Sequence, residues 1–183
     1  MRIIAGIYKG KRIYSVEGYT ARPTTNYMKE MLFSTILSLN PKMTNILDLY
    51  AGSGSFGFEA LSRGAGYATF VEMSQKAIST IFANIELLGC HDKCKVIKKK
   101  VEVFLSCPSD EKYDIIFADP PYNKDLANKT IQMIFEKDLL SDGGILIIEH
   151  SKNEKIDSEY AEYIFKEKMS GQTVFTFFYI NVP

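Results

Sequence analysis

The stretch that decides the fold runs from Asn45 to Gly57, N-I-L-D-L-Y-A-G-S-G-S-F-G. Residues Ile46 to Tyr50 form a nearly continuous apolar run, which is typical of a strand buried on both faces of a parallel sheet. The run ends in Ala51-Gly52-Ser53-Gly54, which predicts a tight turn, and apolar residues from Phe56 onward follow at helical spacing. A strand, a glycine turn and a helix N-terminus form a nucleotide-cofactor site, because exposed amides and small residues let a ligand lie against the backbone.

The glycines alone are compatible with two cofactor classes. Gly52, Gly54 and Gly57 satisfy the spacing G-x-G-x-x-G of dinucleotide-binding proteins. Glu72 ends a second apolar run about twenty residues later, where that fingerprint expects an acidic residue. A carboxylate at this place would accept hydrogen bonds from the ribose hydroxyls of either NAD or S-adenosylmethionine. Both cofactors therefore remain open at this point.

Length and composition indicate one ordinary globular domain. The chain has 183 residues, of which 46% are hydrophobic and 24% charged, enough for a substantial core. No stretch of about eighteen apolar residues occurs, so we expect no membrane-spanning segment. The polar and basic residues after Met1 to Ile4 do not fit a secretory signal, and three cysteines fit a reducing compartment. We therefore expect a cytoplasmic protein, and a monomer by default.

Charge is distributed unevenly along the chain. Residues 1–30 contain six basic and two acidic side chains, a net of +4, so the rest must carry −4 because the total is zero. Such asymmetry predicts that the N-terminal end meets a polyanion. The candidate contacts are Arg2, Lys9, Lys11, Arg12 and Arg22.

Hydrophobic periodicity predicts an α/β fold. Two short runs, 3–5 and 13–16, predict an N-terminal β-hairpin with a basic connection, and a helix capped by Thr24 or Thr25 is expected to follow and to end before Pro41. Strands are then expected near 45–50, 67–71, 94–98, 113–118 and 144–149, and helices near 55–63, 74–88, 124–137 and, in short form, 101–106. This alternation predicts a parallel sheet. Residues 163–166 and 174–180 predict a closing antiparallel hairpin.

A second motif follows the fourth expected strand. Asp119-Pro120-Pro121-Tyr122 places two prolines, which lack backbone donors, between a carboxylate and an aromatic ring. Ligands bind at the carboxyl ends of strands in open α/β sheets, so this loop should face the glycine turn. Acceptors there would draw the protons of a nucleobase amine and make its nitrogen more nucleophilic, while Tyr122 could stack on a flipped base. Hydride transfer needs none of these features.

At this point the sequence resembles a known family. Asp48-Leu49-Tyr50-Ala51-Gly52-Ser53-Gly54 and Asp119-Pro120-Pro121-Tyr122 resemble the motifs of amino-directed S-adenosylmethionine methyltransferases. The N-terminal motif from Arg2 to Gly10, with Arg22-Pro23-Thr24-Thr25, resembles the RsmD-type family, which methylates a guanine N2 amine in 16S ribosomal RNA. The likeness includes Glu59 to Gly64 and covers nearly the whole chain.

The resemblance implies a fold and a division of the chain. It implies a Rossmann-like class I methyltransferase with a seven-stranded, mostly parallel sheet, an antiparallel strand near the C-terminus, and an N-terminal hairpin plus helix. Residues 1–22 would form the RNA-contacting appendage and residues 23–183 the methyltransferase domain. The expected partner is small-subunit ribosomal RNA, possible substrates being naked RNA or a 30S particle or assembly intermediate.

The resemblance also assigns roles to residues. It implies that Asp119 to Tyr122 hold the target amine and that Thr24 lies with Arg22 near the mouth of the site. The residues implied or expected to bind the cofactor are Asp48, Tyr50, Ala51, Gly52, Ser53, Gly54, Gly57, Glu72, Met73, Lys100 and Val101. Lys100 stands where many relatives carry an Asp or Asn facing adenine. Asn26, Tyr27 and Lys29 also depart from the family pattern, which predicts an altered or weaker RNA contact.

Three other functions compete with this interpretation. A DNA adenine-N6 methyltransferase would share the D-P-P-Y motif but usually carries a large recognition insert. An NAD-binding oxidoreductase fits the glycines but leaves Asp119 to Tyr122 unexplained. A non-catalytic RNA-binding factor would need only the basic N-terminus. We expect no metal, since Cys90, His91 and Cys94 lack a second ligand pair, and we expect His150 to be structural.

Overall fold

The computed structural model describes residues 1–16, 26–39, 41–122 and 125–180. Its centre is a seven-stranded sheet in the order β3-β2-β1-β4-β5-β7-β6. The strands are β1 Asn45–Leu49, β2 Tyr67–Glu72, β3 Cys94–Lys98, β4 Tyr113–Ala118, β5 Leu140–Ser151, β6 Ile164–Ser170 and β7 Thr173–Tyr179. The first five pair in parallel, whereas β7 is antiparallel to both β5 and β6. The predicted seven-stranded, mostly parallel sheet is confirmed.

Helices cover both faces of this sheet. They are α1 Asn26–Ser38, α2 Ser55–Ser62, α3 Gln75–Leu88, α4 Val101–Ser106 and α5 Leu126–Glu136. Alternate strand residues enter two separate cores, so Phe117 packs with α1, α2 and α3 while its neighbour Ile116 packs with α4 and α5. This two-sided burial explains why the strands read as continuous apolar runs. No helix among the described residues is long and apolar enough to cross a membrane.

The N-terminal segment differs from its prediction. Residues 1–16 form no regular strand pair and contain one antiparallel bridge, between Arg2 and Arg12. The amides of Ile3 and Ile13 bond across to the carbonyls of Lys11 and Met1, both at 3.0 Å, whereas Glu59 accepts from the amides of Ile4 and Ala5 at 2.9 and 3.1 Å. The two runs therefore pair over a short stretch without forming the regular strands of the predicted hairpin, because the amides between the cross-links are bonded to α2.

Two strand lengths were also underestimated. β5 begins at Leu140, four residues before its predicted start, and β6 continues to Ser170. The link between β6 and β7 shrinks to Gly171 and Gln172, with Gly171 at a φ of 64°. Three consecutive charged residues, 166–168, interrupt the apolar run of β6 because this strand is the exposed edge of the sheet, and they hid its length. The predicted caps Thr24 and Thr25 lie outside the described residues.

Candidate functional site

The carboxyl ends of four strands meet at one edge of the sheet. Leu49 of β1 pairs with Val71 of β2 on one side and with Ala118 of β4 on the other. Ala118 pairs in turn with Ile148 of β5. The glycine turn after β1 and the D-P-P-Y loop after β4 therefore leave adjacent strands at the same edge, as the sequence predicted.

Glu72 is fixed at this edge by backbone amides. Its Oε2 accepts from the amide of Gly52 at 2.9 Å, and its Oε1 accepts from the amides of Met73 and Ser74, both at 2.8 Å. Several hydrogen bonds from backbone amides fix the orientation of a carboxyl group. Glu72 thus joins the end of β2 to the glycine turn.

The glycine turn itself contains three residues with left-handed backbone. Tyr50, Gly52 and Gly54 have φ angles of 56°, 56° and 76°. A Cβ at Gly54 would lie 2.6 Å from the ring of Phe58, so that glycine is required by packing. A Cβ at Gly52 would meet no atom closer than 4.0 Å. The space over Gly52 is therefore open, which is what a ligand lying against the backbone requires.

Asp48, in β1, connects the strand before the glycine turn to the helix after it. The side chain is buried, and its Oδ2 accepts from the amide of Gly57 in the first turn of α2 at 3.0 Å. Burial is the main reason that the pKa of Asp48 is well above its usual range, opposed by the Gly57 hydrogen bond. Gly57 is itself required by packing, because a Cβ there would lie 2.4 Å from Phe70. These contacts fix the helix N-terminus relative to β1.

The remaining cofactor candidates surround this turn at different depths. Ser53 is buried and its carbonyl accepts from Asn84 at 3.0 Å, while the Tyr50 hydroxyl lies 3.1 Å from that of Thr130. The amide of Ala51 bonds to the carbonyl of Val71.

Three further candidates lie beyond the turn. Met73, directly after Glu72, is 59% exposed and offers an apolar surface beside the carboxylate. Lys100 is exposed at the N-terminus of α4, and Val101 behind it is buried in the core.

Asp119 opens the D-P-P-Y loop. It is half-buried, with Pro120 buried behind it and Pro121 exposed. Desolvation raises the pKa of Asp119 to about 6, so the carboxyl is mainly ionised at neutral pH and can accept a proton near that pH. A carboxylate in this state is suited to hold a polar group bearing protons.

Tyr122 is anchored by two polar side chains. Its hydroxyl donates to Oε1 of Glu149 at 2.9 Å and lies 3.1 Å from the hydroxyl of Thr173. The ring stays 40% exposed. Burial of the hydroxyl is the main reason that the pKa of Tyr122 is raised. Tyr122 therefore presents a ring of fixed orientation beside Asp119.

Glu149 is the site residue that the sequence analysis missed. It ends the apolar run Ile145 to Ile148 just as Glu72 ends the run before it, and that position was the available signal. Desolvation, with the nearby Asp119 charge next in size, raises the pKa of Glu149 to about 8. His150, the neighbour that the sequence analysis considered instead, is buried and bonded to Thr176 and to backbone carbonyls. Its structural role is confirmed.

The predicted RNA contacts divide into two groups. Arg2, Lys9, Lys11 and Arg12 are all exposed on the N-terminal segment, and Lys11 lies 5.3 Å from the ring centre of Tyr8. Arg22 and Thr24 lie outside the described residues.

Lys29, one of the departures from the family pattern, has a different environment. It is buried, donates to the carbonyl of Arg2 at 2.6 Å, and lies 3.9 Å from Glu59. It therefore fixes the N-terminal segment rather than facing solvent.

The cysteines show no metal-site arrangement. The thiols of Cys90 and Cys94 are 3.6 Å apart, and both are free. Over the part of the chain that is described, no three His, Cys, Asp or Glu side chains are grouped to hold a metal ion. His91, which lies between the two cysteines, bonds to Glu86 on the surface.

The site as a whole fits a nucleoside cofactor on one side and a polar acceptor on the other. The open space over Gly52, the fixed carboxylate of Glu72 and the exposed Met73 suit a ribose with an attached base. Asp119 and Tyr122 lie after the next strand and suit an aromatic group that carries an amine.

Comparison with known proteins gives a consistent family match. The family model described as "Conserved hypothetical protein 95" matches residues 1–179. Ribosomal RNA small subunit methyltransferase D of Haemophilus influenzae is 32% identical over 173 residues, covering 93% of this chain and 89% of that protein.

Two solved structures extend the match to the fold. The yhhF protein of Escherichia coli, named there as a candidate methyltransferase, superposes with a TM-score of 0.86 at 28% identity, covering 100% of this chain and 99% of that one. SMU.776, a candidate methyltransferase solved in complex with SAH, shares the fold at 18% identity and a TM-score of 0.62, covering 84% of this chain and 48% of its own.

Proposed function

Because this chain belongs to the Conserved hypothetical protein 95 family of RsmD-type S-adenosylmethionine-dependent methyltransferases, we propose that it methylates the N2 amine of a guanine in 16S ribosomal RNA. Family membership makes the chain an S-adenosylmethionine-dependent enzyme and removes the oxidoreductase alternative. The relative from Haemophilus influenzae, at 32% identity, is named a ribosomal RNA small subunit methyltransferase. That likeness supports small-subunit ribosomal RNA as the substrate, whereas the guanine N2 atom rests on the resemblance of the motifs to the RsmD-type family.

On the cofactor side, this chain's residues would bind and orient. S-adenosylmethionine, when bound, supplies a methyl group on a sulfonium. Glu72, fixed by three amides, would accept from the ribose hydroxyls, and Met73 would cover the adenine. Gly52 would let the methionine part approach the backbone, and Asp48 would keep the turn and the start of α2 in place.

On the acceptor side, the D-P-P-Y loop would prepare the amine. The lone pair of a nucleobase amine is delocalised into the ring, so the nitrogen is a poor nucleophile. Asp119 and nearby backbone carbonyls would accept hydrogen bonds from its two N–H groups and stabilise the positive charge that develops on the nitrogen. Tyr122 would stack on the flipped base and hold it in line with the methyl group.

The overall step balances through one proton. S-adenosylmethionine would supply the methyl group and would leave as S-adenosylhomocysteine, so the methylated nitrogen would carry a positive charge until it released one proton. Asp119, with a pKa of about 6, would accept that proton.

RNA would contact the exposed N-terminal residues. Arg2, Lys9, Lys11 and Arg12 lie on one short segment that is tied to α2 through Glu59 and Ser62. Contacts between such side chains and phosphates position a substrate without reading its sequence. A ribosomal RNA substrate, free or in a 30S particle, would place the protein in the cytoplasm.

The observation that carries this proposal is the position of Asp119 and Tyr122 in the loop directly after β4, which pairs with the strand that leads into the glycine turn. The test is methyl transfer from labelled S-adenosylmethionine to unmethylated 30S particles and to protein-free 16S RNA, followed by nucleoside analysis. We expect N2-methylguanosine. N6-methyladenosine would contradict the assigned base, and transfer to DNA alone would contradict the assigned substrate.

A further inference from the structure

Glu149 and Thr173 are two polar residues of the site to which the proposed function gives no role. Both lie on the strands beyond β4, and both bond to the hydroxyl of Tyr122. We propose that Glu149, with Thr173, is a positioning residue that fixes the ring of Tyr122 beside Asp119. This inference rests on the proposed function, in which Tyr122 stacks on the target base.

The geometry determines how the ring is held. A Tyr hydroxyl has one proton, which goes to Oε1 of Glu149 at 2.9 Å, so the Thr173 hydroxyl donates to the Tyr122 oxygen at 3.1 Å. Glu149 and Thr173 belong to neighbouring antiparallel strands, and Glu149 pairs with Phe175 in the ladder. The anchor is thus part of the rigid sheet, whereas Tyr122 belongs to a loop. Hydrogen bonds from the sheet to the Tyr122 hydroxyl hold the ring in one orientation before the base binds, so less conformational entropy is lost on binding.

The surroundings of the second carboxyl oxygen of Glu149, Oε2, favour the protonated form of this residue. The side chain is 7% exposed, and Oε2 is buried without a hydrogen-bond partner among the described residues. An ionised oxygen left unpaired in such a place costs several times more than a neutral one. Asp119 adds a like charge at the adjacent strand end. A proton on Oε2 of Glu149 removes both penalties and leaves Oε1 free to accept from Tyr122.

The two carboxyl groups therefore differ in protonation state at neutral pH. Glu149, with a pKa of about 8, keeps its proton, while Asp119, with a pKa of about 6, is mainly ionised. The titratable groups that act on Glu149 in the described ranges are Asp119 and Tyr122. From β7 it is faced by Phe175 and Thr173, which do not titrate, and His150 on its own strand bonds to Thr176. The neutral neighbour leaves the charge on the residue that meets the amine.

The test compares Glu149→Gln with Glu149→Leu in methyl transfer to the RNA substrate that the wild-type protein accepts. Gln has the shape of the neutral acid and keeps an acceptor for Tyr122, so we expect kcat within threefold of wild type at pH 7. Leu leaves the Tyr122 hydroxyl without its acceptor, so we expect kcat to fall at least tenfold. Binding of S-adenosylhomocysteine, measured by calorimetry, should stay within twofold for both variants.

The pH profile gives a readout that a purely structural role would not change. Wild-type kcat should fall above pH 8 as Glu149 ionises beside Asp119, and Glu149→Gln should lose this alkaline decline. Glu167→Gln is the matched control, because Glu167 also accepts from a threonine hydroxyl of β7, at 3.1 Å, but is exposed on β6. It should keep the wild-type profile.

Two outcomes would overturn the inference. One is a Glu149→Leu protein that binds S-adenosylhomocysteine normally and retains wild-type kcat. The other is a Glu149→Gln protein as impaired as Glu149→Leu, which would mean that the charge is needed. If Leu prevents folding, Thr173→Val removes the other Tyr122 partner and should lower kcat several-fold, with Thr173→Ser restoring it; an unchanged Thr173→Val enzyme would count against the anchor. A wild-type protein that transfers no methyl group would instead contradict the proposed function.

Discussion

Glu72 ends β2 and Glu149 ends the apolar run of β5, at the same edge of the sheet, yet their environments are opposite. The carboxyl of Glu72 receives three backbone amides at 2.8 to 2.9 Å. That of Glu149 receives one hydroxyl and leaves its other oxygen buried without a partner in the described structure. The protein therefore completes the cofactor half of the site with its own backbone. The acceptor half depends on side chains whose protonation and orientation are set by one another.

The largest effect is expected at Asp119. Asp119→Ala removes the acceptor that would stabilise the charge on the target amine, and loss of one such group costs about 10²–10³-fold in kcat. Methyl transfer to the RNA substrate measures this. Asp142→Ala, an exposed residue at the start of β5, should be silent. A nearly active Asp119→Ala enzyme would remove the basis for an acceptor half.

The cofactor half is tested at Glu72. Glu72→Gln replaces three charge-assisted hydrogen bonds by weaker ones and brings a donor close to backbone amides, and hydrogen bonds to charged groups contribute about 1.5–3 kcal/mol each. Affinity for S-adenosylhomocysteine should fall by roughly 10–100-fold by calorimetry. Glu86→Gln, an exposed carboxylate on α3, serves as the control. Normal affinity in Glu72→Gln would contradict the role of the preformed carboxylate.

Substitutions at two glycines of the same turn should have different effects, one mainly on stability and the other mainly on cofactor binding. Gly54→Ala combines a positive φ with a 2.6 Å contact to Phe58, so the free energy of unfolding should fall by about 2 kcal/mol or more. Gly52→Ala adds a methyl group to open space at φ 56°, so about 1 kcal/mol is expected. Its larger effect should be on S-adenosylhomocysteine binding. Denaturant unfolding measures the stability of both variants, and calorimetry measures their affinity for S-adenosylhomocysteine. Two variants with the same stability and the same loss of affinity would contradict this distinction.

Protonation of Glu149 in the acceptor half should make the free energy of unfolding depend on pH. Glu149 has a native pKa raised to about 8 from 4.5, so the native state holds a proton that the unfolded chain has released between these values. The free energy of unfolding should therefore decrease as pH rises from about 4.5 to 8, by at most about 1.4 kcal/mol per pH unit from this group. Glu149→Gln should show a shallower decrease in denaturant unfolding at several pH values. An identical slope would show that Glu149 is not protonated in the native state.

The smallest effect is expected at the basic N-terminal segment. The double variant Lys9→Gln, Lys11→Gln removes up to two phosphate contacts, so RNA affinity should fall several-fold and the salt dependence of binding should become less steep by up to about two counterions. Lys129→Gln, Lys137→Gln removes two exposed charges around α5, on the other face of the sheet, as the control. Equal effects of the two pairs would mean that the N-terminal segment has no special part in RNA binding.

Much of the architecture was predictable because its signals are local. The strand ending at Leu49, the glycine turn and the D-P-P-Y loop are contiguous motifs, and parallel strands bring their carboxyl ends together by topology. The N-terminal segment is less regular than predicted because the partner of its Ile4 amide is Glu59, 55 residues away, which no local pattern shows. For the same reason the sequence does not reveal that Lys29 bonds to the carbonyl of Arg2.

Glu149 was missed because a single acidic residue at the end of an apolar run does not reveal its partners. Its contact with Tyr122 depends on the pairing of β5 with β7 and on the exit of the loop from β4. The glutamate at the end of β2 was recognised only because a glycine fingerprint at a set distance drew attention to it.

The central claim, that the two halves are built independently, is tested most directly by S-adenosylhomocysteine calorimetry on Asp119→Ala and Glu72→Gln together with methyl transfer. We expect Asp119→Ala to bind within threefold of wild type while losing transfer, and Glu72→Gln to lose binding. Comparable loss of S-adenosylhomocysteine affinity in both variants would contradict the account, because Asp119 would then belong to the cofactor half.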